Sequence, residues 1–166
     1  MKRRFSLIWA ISAALCFCQL SSYGQKKPVD HQNRFSVSHY DPKRNPSDDL
    51  KAAVAEAQRT GKRILLQVGG EWCSWCHTMD RFYQTHPKLL EARDQNYILI
   101  KINFSPDNHN EGFLSHYPEI TGYPHIFILD QNGALVRSED TSELELGKSY
   151  DLNKFMAFLK QFSPAH

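Results

Sequence analysis

The apolar run Ile64-Leu65-Leu66-Gln67-Val68 passes through Gly69-Gly70 directly into Trp72-Cys73-Ser74-Trp75-Cys76-His77. That junction constrains the fold more than any other stretch of the chain. A short run of branched aliphatics bounded by glycines is expected to form a strand buried on both faces. The glycines let the backbone turn tightly, and residues 73–84 suit a helix that carries Cys76, Met79 and Tyr83 on one face. At this point three chemistries fit the hexapeptide: a dithiol that closes and reopens, a C-x-x-C-H attachment site for c-type haem, and half of a four-cysteine zinc site.

The remaining segments follow from periodicity and turn chemistry. Residues 35–38 alternate apolar and polar and are expected to form a short edge strand. Pro46-Ser47-Asp48-Asp49 opens a helix, with Ser47 as the cap, two acids near the positive end of the dipole and Gly61 as the stop. Leu50, Ala53, Val54 and Ala57 recur on its inner face. Pro87 starts a helix that carries Leu89 and Leu90, and residues 97–103 form a second apolar strand. A polar loop over 105–110 and a short helix over 112–117 come next. Residues 124–129 and 134–137 make two strands joined by Asp130-Gln131-Asn132-Gly133, a strong hairpin signal. Residues 139–149 form an acidic loop, and a last helix sets Leu152, Phe155, Met156 and Leu159 on its apolar stripe. Strands that alternate with helices pair in parallel, whereas the hairpin must be antiparallel. The fold class is therefore α/β, with a mixed central sheet covered on both faces.

The N-terminus bears on the cysteines. Met1-Lys2-Arg3-Arg4 is a basic head, residues 5–20 are an apolar run, and Ser22 and Gly24 are small residues before Gln25. That is the layout of a secretory signal peptide over residues 1–24, and its run falls short of the roughly 20 residues of a spanning helix. A lipoprotein reading, with lipid on Cys16 or Cys18, fits less well because bulky Leu15 and Phe17 precede those positions. Cleavage removes Cys16 and Cys18 and leaves Cys73 and Cys76 as the only pair. A disulfide stabilises mainly by closing a long loop, and a two-residue gap closes almost none, so this pair is chemical rather than structural.

After a polar tether over residues 25–34, a single domain over 35–163 is expected. A mature chain of about 140 residues suffices for one proper core. At 41% hydrophobic and 23% charged residues, with a formal charge of +2, it reads as a globular protein with no case for nucleic-acid binding.

Taken in order, these pieces resemble the thioredoxin fold, a three-layer sandwich of helices on both faces of a mixed sheet. Residues 64–73 look like the strand that enters a thioredoxin active site, with its Glu71-Trp72-Cys73 approach. Lys101-Ile102-Asn103 is similar to the end of the family's next strand. Tyr117-Pro118-Glu119-Ile120-Thr121-Gly122-Tyr123-Pro124 matches the family's pattern before its cis-proline, and Asn132-Gly133 falls at its hairpin turn. The Trp-Cys-x-Trp-Cys-His form is most similar to a branch of secreted bacterial thioredoxin-like proteins.

The resemblance implies thiol–disulfide exchange on protein substrates. Cys73, at a helix N-terminus, is the attacking thiolate, and the more buried Cys76 resolves the mixed disulfide. Pro124 is the cis-proline facing the sulfurs, with Gly122 and Tyr123 in the substrate groove beside it. Trp72, Trp75 and Tyr123 form an aromatic rim suited to an extended polypeptide. One position departs from the family: its buried aspartate before the motif is here Gln67, which cannot act as a base. Glu71 and His77 are the nearby candidates to substitute, and Lys101, which accompanies that acid in the family, loses its evident partner.

The implied cofactor is none beyond the Cys73–Cys76 disulfide, with no metal. The implied partners are protein thiols or disulfides and an upstream redox partner. The expected setting is the periplasm, as a monomer without stable membrane association after cleavage. Three rivals stand beside this reading. They are haem on Cys73, Cys76 and His77 with Met79 or Met156 as second ligand, zinc on the cysteines and scattered histidines, and a non-enzymatic module that uses the fold to hold a partner polypeptide.

Overall fold

A computed structural model describes residues 39–165. The signal peptide expected over 1–24, the tether expected over 25–34 and the strand expected over 35–38 lie outside the described residues.

Helix α1 spans Pro46–Thr60. Its cap is Asn45 rather than Ser47: the Asn45 side chain accepts from the backbone N–H groups of Ser47 and Asp48. The physical reason is Pro46. Proline has no N–H to lose and its fixed φ suits the first helical position, so the cap falls one residue before it. Gly61 ends the helix in the left-handed region at φ 75°, where a glycine escapes the Cβ penalty. Of the acids in the first turn, Asp49 is buried and paired with Arg44 at 2.6 Å.

Strand β1, Arg63–Gly69, is buried from Ile64 onward. Helices α2 (Ser74–Thr85) and α3 (Pro87–Asn96) follow, then strand β2 (Tyr97–Asn103). A one-turn helix α4 (Glu111–Leu114) precedes β3 (His125–Leu129) and β4 (Leu135–Asp140). The sheet has four strands in the order β2-β1-β3-β4. β1 and β2 are parallel, with Gln67 opposite Lys101, and β3 runs antiparallel to both β1 and β4.

The pleat divides the interior into two layers. Ile64, Leu66, Val68, Ile98, Ile100, Ile102, Phe127 and Leu129 face α1, where Ala53 and Ala57 allow close approach. Leu65, Tyr97, Ile126 and Ile128 face α2, α3 and the last helix, α5 (Leu152–Gln161). Helices therefore cover both faces of the sheet.

Two expectations for the C-terminal third need correction. The stretch over 139–149 is not a solvated acidic loop. Glu139 and Asp140 extend β4, and Glu139 is buried against Arg137 at 2.7 Å. A 3₁₀ turn, Thr141–Leu144, and a two-stranded ribbon of β5 (Glu145–Leu146) and β6 (Ser149–Tyr150) follow. Buried Thr141, Leu144 and Tyr150 anchor this segment, which is why it is ordered despite its charge. In α5 the inner stripe is Phe155, Phe158 and Leu159, with Met156 partly buried against the same cluster as expected, whereas Leu152 is exposed at the first turn. Asp151 caps that helix by accepting from the N–H groups of Asn153 and Lys154, which leaves Leu152 at the solvent-facing start of the first turn.

The displaced cap of α1 is open to measurement. Asn45→Ala is expected to destabilise the protein by about 1 kcal/mol in urea denaturation, and Ser47→Ala by much less. The reverse order would return the cap to Ser47.

Candidate active site

The site is built where β1 hands the chain to α2. Gly69, the last residue of the strand, is the point of closest approach: a Cβ there would overlap the Cys76 sulfur and come within 3.2 Å of the Tyr40 ring and hydroxyl. Gly70 is equally confined, since a Cβ would clash with the Trp72 indole and lie 2.8 Å from the Phe104 carbonyl oxygen. That carbonyl accepts the Trp72 indole N–H at 2.6 Å. Trp72 is thus held at one end while 55% of its surface stays exposed.

Cys73 and Cys76 form a disulfide with their Cα atoms 5.2 Å apart. Cys73 is the N-cap of α2, and its sulfur accepts the Cys76 backbone N–H at 3.1 Å. The sulfur stands where an aspartate or serine oxygen usually caps a helix, so a thiolate there meets unpaired N–H groups and the positive end of the dipole. Cys76 is fully buried and Cys73 nearly so.

Tyr123 packs against this pair, and the Tyr123–Pro124 peptide bond is cis. Thr141 Oγ1 donates to the Pro124 carbonyl at 2.5 Å, which ties the loop to the segment after β4. Gly122 has open space on its side-chain face. The Tyr123 ring stacks on Phe104 at 5.0 Å and meets the edge of Trp72 at 5.5 Å, and His109 stacks on the far side of Phe104. Trp75 packs against the Tyr40–Cys73–Cys76 cluster and edge-on against Tyr150 at 5.4 Å. Trp75 and Tyr123 thus pack against the cysteine cluster, and Trp72 and Phe104 extend the Tyr123 side as an aromatic row.

Behind the disulfide, the apolar layer gives way to a buried polar group. The Gln67 amide N–H donates to the Tyr40 hydroxyl at 2.6 Å, and its carbonyl oxygen has no partner among the described residues. Lys101, opposite Gln67 on β2, pairs with Asp80 at 2.6 Å, and its ammonium sits 4.8 Å from the Tyr40 ring centre. Lys101 thus has an acid, supplied by α2 and not by β1. Glu71 and His77 lie on the outer side. The Glu71 carboxylate accepts the Tyr40 backbone N–H at 2.6 Å, and His77 Nε2 is 2.8 Å from the Glu71 carbonyl oxygen. Neither has a hydrogen bond to a sulfur among the described residues.

Sequence reasoning missed Tyr40, Asp80 and Phe104. Asp80 had a readable signal, since it follows Cys76 by four residues on the same helix and so shares its face. Tyr40 had none, because its contacts are with Gln67 and Cys76, far along the chain. Among the described residues, no three His, Cys, Asp or Glu side chains converge as a metal site requires.

His125, next to Pro124, is buried, with its Nε2 2.8 Å from Ser138 Oγ and its Nδ1 unpartnered among the described residues. Burial holds its imidazole below the ordinary value, and Asp140 pulls weakly the other way. The folded protein therefore favours the neutral ring, while the unfolded chain takes up a proton as pH falls through about 6.5. This contribution to stability is complete above about pH 6.5 and is lost as pH drops toward the lower folded-state value. Denaturation midpoints are expected to fall between about pH 7 and pH 5, and His125→Gln should flatten that slope. A second measurement probes the contact at Gly69. Gly69→Ala should lower the stability of the oxidised protein by about 1–3 kcal/mol, and an unchanged denaturation midpoint would mean that α2 can retreat freely.

A thioredoxin-like family model matches residues 45–131. The thiol:disulfide interchange protein DsbD 1 of Pseudomonas aeruginosa is 29% identical over 120 residues, which cover 66% of this chain and 20% of that protein. DsbD of Salmonella paratyphi A is 26% identical over 86 residues, covering 52% of this chain and 15% of the relative. The chain thus spans about a fifth or less of the length of these curated relatives. Among solved structures, a disulphide isomerase from Xylella fastidiosa superposes with a TM-score of 0.62 at 20% identity, covering 74% of this chain and 94% of the other. The oxidised C-terminal domain of Neisseria meningitidis DsbD gives 0.53 at 19% identity, covering 71% and 96%. At such identities the superpositions speak for the fold. The family match over more than half its length, on a fold of this topology, makes the chain a member of the thioredoxin-like family.

Proposed function

We propose that the protein catalyses thiol–disulfide exchange on polypeptide substrates through the Cys73–Cys76 dithiol. The observation that carries this reading is the disulfide at the N-terminus of α2, with Tyr123 of the cis-proline loop packed on it and an exposed indole beside it. In the reducing direction the Cys73 thiolate attacks one sulfur of a client disulfide. A Cys73–client bond forms, the client bond breaks, and the displaced client thiolate takes a proton from solvent. Cys76 then loses its proton and attacks the Cys73 sulfur, which remakes the Cys73–Cys76 bond and expels the second client thiolate. Two electrons pass from the dithiol to the client. The oxidising direction is the same sequence reversed.

The two sulfurs differ in task because their surroundings differ. Cys73 caps the helix and is stabilised as a thiolate before attack. Cys76 is shielded and reacts only once Cys73 holds a client, when the attack is intramolecular and its effective concentration is high. Trp72, Tyr123 and the space at Gly122 offer an apolar wall and an open edge to an extended segment. Pro124 keeps that edge free of a competing N–H. No cofactor beyond the disulfide takes part in this scheme, and no metal is called for.

The basic head, apolar run and small-residue site at residues 1–24 support export to the periplasm, where the protein would act as a monomer and an upstream partner would renew the dithiol or the disulfide. The names of the relatives, thiol:disulfide interchange proteins, support the same chemistry.

Cys76→Ser is expected to accumulate mixed disulfides between Cys73 and client proteins, visible on non-reducing gels and abolished by Cys73→Ser. Insulin reduction by the natural protein should fall to background in either variant. A module that merely holds a partner would form no mixed disulfide. The potential of the pair, measured against glutathione or dithiothreitol, sets the direction: near −270 mV it favours reduction and near −120 mV oxidation. Absence of any reversible couple would end the enzymatic reading.

A further inference from the structure

The exchange steps above leave unused a phenol buried directly behind the sulfurs. Tyr40 is 1% exposed and clusters with Cys73 and Cys76. Its hydroxyl and the Cys76 sulfur converge on the face of Gly69 that lacks a side chain. A phenol has one hydrogen to give and two lone pairs to share. The Gln67 amide N–H occupies one lone pair at 2.6 Å. No nitrogen or oxygen among the described residues accepts the Tyr40 hydrogen, and the sulfur of Cys76 is the adjacent group able to take it. Once the disulfide opens, that sulfur becomes a far better acceptor, because a thiolate carries a full charge.

We propose that in the dithiol form the Tyr40 hydroxyl, aimed by Gln67, donates a hydrogen bond to the Cys76 sulfur and stabilises the thiolate that resolves the mixed disulfide. The inference rests on the exchange reading given above. Tyr40 lies in one buried cluster with the reacting sulfurs, and Gln67 is a positioning residue that acts through it. The step needs no base at position 67. The Cys76 proton goes to water, Tyr40 keeps its own proton throughout, and the electron pair left on Cys76 forms the bond to Cys73 as the client thiolate departs.

The charges around Tyr40 agree with a donor that stays protonated. Asp80 on α2 pairs with Lys101 of β2, whose ammonium lies over the Tyr40 ring; Glu71 takes the Tyr40 backbone N–H; Tyr150 stands on the ribbon side. Burial, with Asp80 adding to it, holds the phenol well above its ordinary pKa, and the Gln67 hydrogen bond opposes this. A neutral amide suits the arrangement better than a carboxylate would. A carboxylate at position 67 would take the Tyr40 hydrogen for itself and place a second negative charge near the thiolate.

The test reads the thiol itself. In the full chain carrying Cys73→Ser, labelled with ¹³C at cysteine Cβ, the Cys76 resonance is followed against pH. Adding Tyr40→Phe, which deletes one oxygen, should raise the Cys76 midpoint by about one unit, a tenfold loss of thiolate at fixed pH. Gln67→Met should move it the same way by less. An unchanged or lowered midpoint in Tyr40→Phe overturns the proposal. Should that variant fail to fold, 3-fluorotyrosine at position 40, a stronger donor of nearly the same size, must lower the midpoint, and an unmoved one is equally fatal. The titration involves no client, so its failure is distinguishable from failure of insulin reduction or mixed-disulfide trapping.

Discussion

The Cys76 sulfur occupies the space that a side chain at position 69 would fill, and the rest of the site is arranged around that contact. It requires glycine at the end of β1, and it brings the first turn of α2 down onto the strand. It also leaves room for the Tyr40 ring to close the same gap from the other side. Because interiors are packed at crystal-like density, such a contact transmits position without slack. The disulfide, the cap of the helix and the phenol behind it are therefore placed together. A shift of α2 would move all three.

This contact lies at the edge of a layer that is otherwise apolar. Leu65, Met79, Phe82, Tyr83 and Phe155 fill the space between the sheet and its helices, while Gln67, Lys101, Asp80 and Tyr40 form a polar pocket within it. Burying such groups is costly unless they pair. Here Lys101 and Asp80 neutralise each other, and the amide of Gln67 reaches a phenol. Within this pocket, Gln67 Oε1 has no partner among the described residues, which marks where the pairing is incomplete. Polar groups retained beside a reactive sulfur serve the chemistry more readily than the stability of the core.

Much of the fold was legible because it rests on local period and punctuation. The apolar runs at Ile64–Val68 and Tyr97–Asn103 and the turn at Asn132-Gly133 each carry their own signal, and the strands lie there. The cap of α1 was misplaced by two residues because Ser47 looks as good a cap as Asn45 until Pro46 is seen inside the helix. The segment over 139–149 was misjudged because its charge suggested solvent. Glu139 is nonetheless buried by an arginine two residues away, and the pairing of β4 with β3 carries both into the sheet.

At the site, the cysteines and the glycines before them were readable from spacing, since a helix start and a tight turn are written in consecutive residues, whereas the proline loop was implied by the resemblance to the thioredoxin fold. The sequence by itself thus determined a buried strand, a capped dithiol and a loop to face it. Only the tertiary structure decided what stands behind the sulfurs. Tyr40 precedes Gln67 by 27 residues and Asp80 precedes Lys101 by 21, and both pairs meet only because β1, β2 and α2 pack at close range. Hydrogen bonds between groups so far apart in the chain leave no periodic trace. They arise from the packing of whole elements, and that packing places a phenol where the motif alone showed only a missing acid.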